Sequence, residues 1–371
     1  MTDPISKGLL PEGFRDRLPP QAEAAADLLR TLLDQVSAHG YERVSPPLVE
    51  FEDSLVTRLS SARPQDLLRF VDPLSQRTLA LRPDITAQVG RIAATRMAHI
   101  ARPLRLAYGG PVLRVRPAQV GPQREAMQMG AELIGSDHVD AVVELLGIAL
   151  EALSAAGLTD MSVDLTLPDL VGTLAAGPWP VTEPLADVQT ALDGKDAAAL
   201  QALGAAQYST LIEAAGPADT ALARLKALDA AGALDTRIAG LERLVATAAP
   251  HAAVTIDPTE RHGFEYQTWI GFSVFAAGVR GEVGRGGTYL VRHPGGGEET
   301  AVGFSLYVDG LVDAGLGASR RRRLFVPLGE AAQAAKLRAE GWTTVAALTD
   351  ADTPARLRCD YALKNGELIK L

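Results

Sequence analysis

Gln128, Gly130 and Glu132 alternate along a strand-like stretch, Ala126 to Ile134, and therefore share one face. The glycine leaves room between an amide and a carboxylate. The other face, Met127, Met129, Ala131 and Leu133, is apolar and belongs to a core. A preceding strand-like stretch, Val112 to Arg116, is joined to this one by a Pro/Gly/Gln-rich loop over Pro117 to Gln123, which lets Arg114 face the pair. A guanidinium, an amide and a carboxylate around a gap suit a free amino acid, with Arg114 on its carboxylate. The plainer alternative is a cross-strand ion pair between Glu132 and Arg114.

These residues need a scaffold. Leu28, Leu29, Leu32, Leu33 and Val36 make one face of a helix that follows Pro19-Pro20 and stops at Gly40. Tyr41 to Phe51 reads as an extended segment broken by Pro46-Pro47, suited to an edge. LRFVDPLSQRTLALRPD reads as two strands about a turn at Asp72-Pro73. Asp84 opens a helix with Ile85, Val89, Ile92 and Ile100 near one face, and could serve only as its cap. Two strands are expected at Leu104 to Tyr108 and Val112 to Arg116. Asp137 is expected to cap a helix over Val139 to Ala156, closed by Gly157, and Ser162 to Leu167 alternates as a strand.

From about 184 to 249 the composition turns to Ala and Leu with no β-like run, which predicts a helical insertion. Strand patterns return at Val254 to Ile256, Gly263 to Phe275, Gly281 to Tyr289 and Thr300 to Val308. The tail reads strand (Leu324 to Pro327), helix (Glu330 to Glu340), strand (Thr343 to Leu348) and a hairpin at Asn365-Gly366. The expected fold is α+β: a mainly antiparallel sheet flanked by helices over residues 1–320, and a small α/β appendage over 321–371.

The balance of 36 basic and 45 acidic side chains in 371 residues, a formal charge of −9, argues against binding nucleic acid through bulk charge. Arg320 to Arg323 reads as a solvated junction. A single cysteine, Cys359, excludes an intramolecular disulfide and a thiolate metal cluster. His251, His262 and His293 lack metal-ligand spacing, and Gly295-Gly296-Gly297 reads as a turn. No basic-then-apolar leader and no membrane-length apolar run are visible, so a cytoplasmic location is expected.

Five stretches in order resemble the class II histidyl-tRNA synthetase family: LLPEGFRDRLP; GYERVSPPLVEF, similar to motif 1, the dimer-forming element; LALRPDITA; YGGPVLRVRPAQVGPQREAMQMGAELIG, similar to motif 2 and its loop; and RHGFEYQT followed by GRGGTYL and AVGFSLYVDG, similar to the histidine signature, glycine-rich strand and motif 3. The resemblance covers roughly the first 170 residues and about 254 to 313. It implies a histidine pocket with Asp84 and Thr86 near the ligand amine, Arg114 and Gln128 near its carboxylate, and Glu132 and Tyr266 near the imidazole. Asp84 stands where the family has glutamate.

The resemblance also locates losses. Arg116 stands where the family has a glutamate that helps hold ATP, and Pro122 where it has a phosphate-binding arginine. His262 replaces a catalytic arginine, and Gly310, after Asp309, replaces the arginine that closes motif 3. Adenylate formation needs cations on developing phosphate charge, so no aminoacylation is expected, and the short tail argues against tRNA.

A synthetase-like body that keeps an amino-acid pocket and lacks ATP chemistry resembles the non-catalytic branch of the family, the regulatory subunits that pair with short-form ATP phosphoribosyltransferases. That implies a catalytic-subunit partner, a homodimer through the motif 1-like region, L-histidine as effector, and no cofactor or metal. Two other readings compete. A divergent active synthetase would catalyse histidine-dependent pyrophosphate exchange. A ligand-free scaffold, favoured by His262 and Gln267 in place of arginine and tyrosine, would not bind histidine.

Overall fold

In a computed structural model, residues 9–56, 65, 67–116, 123–229, 232–261, 267–318, 322–364 and 366–371 are described. The chain divides into two compact units, one ending at Gly317 and the other beginning at Ala318.

The first unit opens with α1 (Gln21–Ala38), whose buried stripe Ala24, Leu28, Leu32, Leu33 and Val36 matches the helical period. Its end is marked by Gly40 at φ +83°. The segment split by Pro46-Pro47 becomes two short strands, β1 (Glu42–Arg43) and β2 (Val49–Phe51). After α2 (Glu52–Val56), β3 (Arg69–Val71) and β4 (Thr78–Leu81) flank the Asp72-Pro73 turn and join β2 in a small antiparallel sheet. Next is α3 (Thr86–Thr95); Ile100, expected on its face, lies beyond it and is exposed.

The two strands expected around Gly109-Gly110-Pro111 are one, β5 (Leu104–Leu113). Proline ought to break a central strand because it has no N–H to give. Here β1 meets β5 only at Leu106 and Ala107, so Pro111 lies where that flank is open. Arg82 takes up the backbone there, its Nε donating to the Pro111 carbonyl at 2.8 Å and its carbonyl accepting from Leu113 N at 3.0 Å.

β6 (Glu125–Ile134) follows, then α4 (Val139–Ala155). The cap of α4 is His138, not Asp137: its Nδ1 accepts from Asp140 N at 3.2 Å. An imidazole nitrogen serves a cap as a carboxylate would, by supplying an acceptor to an orphan N–H. His138→Ala lowers stability by about 0.5–1 kcal/mol, read as a smaller urea midpoint with an unchanged m-value.

β7 (Met161–Thr166) and α5 (Leu170–Ala176) lead into the insertion: α6 (Leu185–Asp193), α7 (Ala197–Ala202), α8 (Ser209–Glu213), α9 (Ala218–Leu228) and α10 (Asp235–Ala248). One departure from the all-helical expectation is β8 (Gly216–Pro217), which pairs with β9 (Ala252–Asp257). The insertion is not a separate body. Its Val188, Leu200, Tyr208, Leu225 and Leu241 share one continuous core with α1, α4 and the main sheet.

β10 (Gln267–Ala276), β11 (Gly284–Arg292), β12 (Glu298–Tyr307) and α11 (Val308–Asp313) complete the unit. Among the described residues the main sheet has nine strands in the order β1-β5-β6-β12-β11-β10-β7-β9-β8, antiparallel except for β1–β5 and β7–β9. This is the expected α+β architecture.

The second unit is β13 (Arg323–Val326), α12 (Ala331–Ala339), β14 (Thr343–Ala346), β15 (Tyr361–Lys364) and β16 (Glu367–Lys370), in sheet order β14-β13-β15-β16. Leu324, Val326 and Leu363 bury one sheet face against Ala334 and Leu337 of α12. Arg320, Arg321 and Asn365 lie outside the described residues.

Candidate functional site

The alternation of β6 holds. Met129, Ala131 and Leu133 enter the core beside α1 and α4, and Gln128 and Glu132 lie on the other face, 0% and 1% exposed. Strand register extends this polar face into rows. One runs Glu132, Gly303, Gly287, Gly271, Thr166, Asp257 across six strands. The next runs Tyr108, Gly130, Ser305, Arg285. Bare backbone at the centre of the first row leaves a cleft between sheet and α3, with about 310 Å³ of free space counting its open mouth. Asp84, Thr86, Glu132, Gln267, Arg285 and Tyr307 are among the residues lining it.

Asp84 stands just before α3 and both its carboxylate oxygens accept hydrogen bonds from the protein. Its Oδ1 accepts from Thr86 N at 2.7 Å, a helix-start bond, and its Oδ2 accepts from Gln128 Nε2 at 2.7 Å. Gln128 also donates to Ser305 Oγ at 2.8 Å and accepts from Ile85 N at 2.9 Å, so its amide is locked. Thr86 Oγ1 lies 2.9 Å from the Tyr108 hydroxyl.

Glu132 is not ion-paired to Arg114. Its Oε1 accepts from Tyr108 OH at 3.0 Å and its Oε2 from Tyr289 OH at 2.8 Å. Burial pushes its pKa up to about 8, against the opposing pull of the two tyrosine hydrogen bonds and with help from the Asp84 charge. Tyr108 is likewise held well above its ordinary value by burial and by the charges of Glu132 and Asp84. Two glycines make this arrangement possible. A Cβ on Gly303 would stand 1.6 Å from Glu132 Oε2, and one on Gly130 2.4 Å from the Tyr108 hydroxyl.

Arg114 lies just past the end of β5 rather than over the Gln128–Glu132 pair. Its guanidinium carbon is 5.6 Å from the Tyr307 ring centroid and its Nη2 3.5 Å from the Tyr307 hydroxyl, so it reaches the cleft through Tyr307. Tyr266, and Pro122 and His262 from the nucleotide side, lie outside the described residues. Arg116 is exposed. Gly310 sits in α11, where a Cβ would meet Val279 Cγ1 at 3.3 Å. Its neighbour Asp309 is engaged by Arg17 and by Met127 N, at 2.6 Å from the latter.

Sequence reasoning missed Tyr108, Tyr289, Ser305 and Arg285 as parts of the site. Tyr108 and Ser305 were legible in principle, since both pair in register with Gly130. Arg285 lines the cleft and is bonded to Glu282, Nε to Oε1 at 2.6 Å. Gln267, read from sequence as a weakening change, is 7% exposed, and its amide oxygen has no hydrogen-bond partner among the described residues. Among the described residues no cluster of His, Cys, Asp and Glu could hold a metal ion, and no helix is long and apolar enough to cross a membrane.

The family profile of histidyl-tRNA synthetase matches residues 13–311. An ATP phosphoribosyltransferase regulatory subunit of Rhodospirillum centenum is 44% identical over 379 aligned positions, covering 99% of this chain and 97% of the relative. A solved structure described as an ATP phosphoribosyltransferase regulatory subunit/histidyl-tRNA synthetase from Bacillus halodurans superposes with a TM-score of 0.77 at 24% identity, covering 94% of this chain and 95% of the other. The ATP phosphoribosyl transferase (HisG:HisZ) complex from Thermotoga maritima contributes a chain with a TM-score of 0.61 at 17% identity, covering 76% of this chain and 97% of that one. With its sheet, its cleft and this near full-length identity, the chain belongs to the ATP phosphoribosyltransferase regulatory subunits, built on the histidyl-tRNA synthetase fold.

Proposed function

We propose that this protein is the non-catalytic regulatory subunit of ATP phosphoribosyltransferase, which opens histidine biosynthesis, and that it works in a hetero-oligomer with the short-form catalytic subunit. It supports the partner's activity and carries histidine feedback through the cleft. One observation carries the reading: Gln128 and Glu132 are buried beside Asp84 at one end of the cleft, while Gly310 of α11 stands where the resemblance puts the motif 3 arginine. A site that keeps its amino-acid end and lacks the family's motif 3 arginine can bind an amino acid without activating it.

Feedback then follows from linkage. Histidine inhibits by binding the less active assembly more tightly, by an amount equal to the coupling free energy. Histidine's amine suits the Asp84 carboxylate and its ring the Glu132–Gln267 side. Tyr266 and Arg114 remain proposed contacts to the ring and the carboxylate.

A homodimer through the motif 1-like region belongs to the same proposal. The small sheet packs Ala80 against Leu55, whereas Phe51 and Leu79 on its other face are only half-buried and Phe70 is 45% exposed, an apolar surface suited to a second copy. No tRNA is expected, and the cytoplasm is the expected setting.

The test is phosphoribosyl-ATP formation by the catalytic subunit with and without this protein, titrating histidine. The expected result is a higher rate and histidine inhibition that appears or strengthens. Indifference of both would end the reading, and pyrophosphate exchange on the same preparation would decide for a synthetase. Activation without histidine binding at millimolar concentration would leave the scaffold.

A further inference from the structure

The helical insertion shares a continuous apolar core with the main sheet, and beside that core two ion pairs tie the end of α6 to β9 and the chain that follows it. Asp193, the last residue of α6, accepts from Arg261 twice, Oδ2 from Nη2 at 2.7 Å and Oδ1 from Nε at 3.2 Å. Two residues on, Lys195 Nζ lies 3.0 and 2.8 Å from the two carboxylate oxygens of Asp257, and it also donates to Thr259 Oγ1. Asp257 is braced in turn by Thr259, whose N and Oγ1 both donate to its Oδ1 at 2.9 Å. Lys195 adopts φ +53°. A non-glycine residue takes that conformation at a cost, and glycine would take it freely. A lysine standing there points to the side chain, rather than the turn, as what the position supplies.

The sheet end of this contact is part of the cleft's framework. Asp257 closes β9 and pairs with Thr166, in the row that continues through Gly271, Gly287 and Gly303 to Glu132. Arg261 lies six positions before Gln267, the first residue of β10. On the strands between latch and cleft, two buried polar atoms, Thr166 Oγ1 and Gln267 Oε1, have no hydrogen-bond partner among the described residues.

We propose that the Asp193–Arg261 and Lys195–Asp257 pairs form a latch by which the insertion positions the Gln267 wall of the cleft relative to Glu132, and so sets the affinity for the amino-acid effector. These are positioning residues that act through Gln267 and the glycine row. The inference rests on the reading that the cleft takes histidine. It assigns the insertion a role in ligand affinity rather than in a chemistry of its own.

The test is a double-mutant cycle on the full chain, with histidine binding read by calorimetry. Asp193→Asn and Arg261→Gln each weaken binding about fivefold, within the range of a partly buried bidentate pair, and the double variant weakens it no further than either alone. Lys195→Gly, which keeps the turn and relieves its strain, weakens binding similarly and serves if Arg261→Gln does not fold. Lys226→Met, which breaks the exposed Lys226–Glu242 pair inside the insertion, leaves affinity unchanged. A lower Tm with unaltered affinity in the latch variants, or additive losses in the cycle, overturns the latch. Wild-type protein that binds no histidine overturns the parent reading, and the latch with it.

Discussion

Gly303→Ala lowers histidine affinity by about tenfold or more, with the overall fold retained. Gly303 pairs directly with Glu132, and an added methyl would stand 1.6 Å from Oε2, well inside contact distance. The surrounding strands are hydrogen-bonded on both sides, so the carboxylate is what must move. Moving it breaks the bonds from Tyr108 and Tyr289. A displaced carboxyl no longer meets the ligand group it was held to face, and leaving that group unsatisfied costs about 1–3 kcal/mol, where about 1.4 kcal/mol is tenfold in affinity. Calorimetry on the purified variant measures the loss, and far-UV circular dichroism checks the fold. Binding within about threefold of wild type would mean that Glu132 does not read the ligand.

Ligand-free protein is expected to lose stability as pH rises from about 5 to about 8, and Glu132→Gln to remove that part of the slope. Folded Glu132 keeps its proton up to about 8, whereas its ordinary value is 4.5. Between those values the native state binds more protons than the unfolded state, and stability therefore falls with rising pH. The shift corresponds to a few kcal/mol over the window. Urea midpoints of wild type and Glu132→Gln at half-unit intervals isolate this residue, because the other groups cancel in the difference. Parallel curves would show that Glu132 is ionised throughout.

Helix α1, the Gln128–Gly130–Glu132 face and most strands along the chain were readable from periodicity, because burial on one side imposes 3.6 or 2 on the pattern. What escaped depended on contacts between distant segments. The continuity of β5 through Pro111 rests on Arg82, twenty-nine positions earlier, supplying partners at its open flank. The cap of α4 came from His138 because an imidazole acceptor was already placed two residues before Asp140 N. Arg114 was placed over Glu132 by assuming that the strand ran through it, whereas β5 ends one residue short and the guanidinium turns to Tyr307. The true partners of Glu132 are tyrosines from β5 and β11, and only the register of four strands brings them to one carboxylate.

The crowding at Gly130 and Gly303 also limits how this binding site can evolve. Glu132 and the Tyr108 hydroxyl already occupy the space that any side chain at those two positions would need, so the floor tolerates no gradual variation. Changes that retune the effector must instead accumulate around the rim, at Gln267, Arg285 and Tyr307. Relatives of this protein can therefore differ around the rim while keeping the same floor, and under the proposed reading comparison of rims should separate effector preferences where comparison of floors cannot.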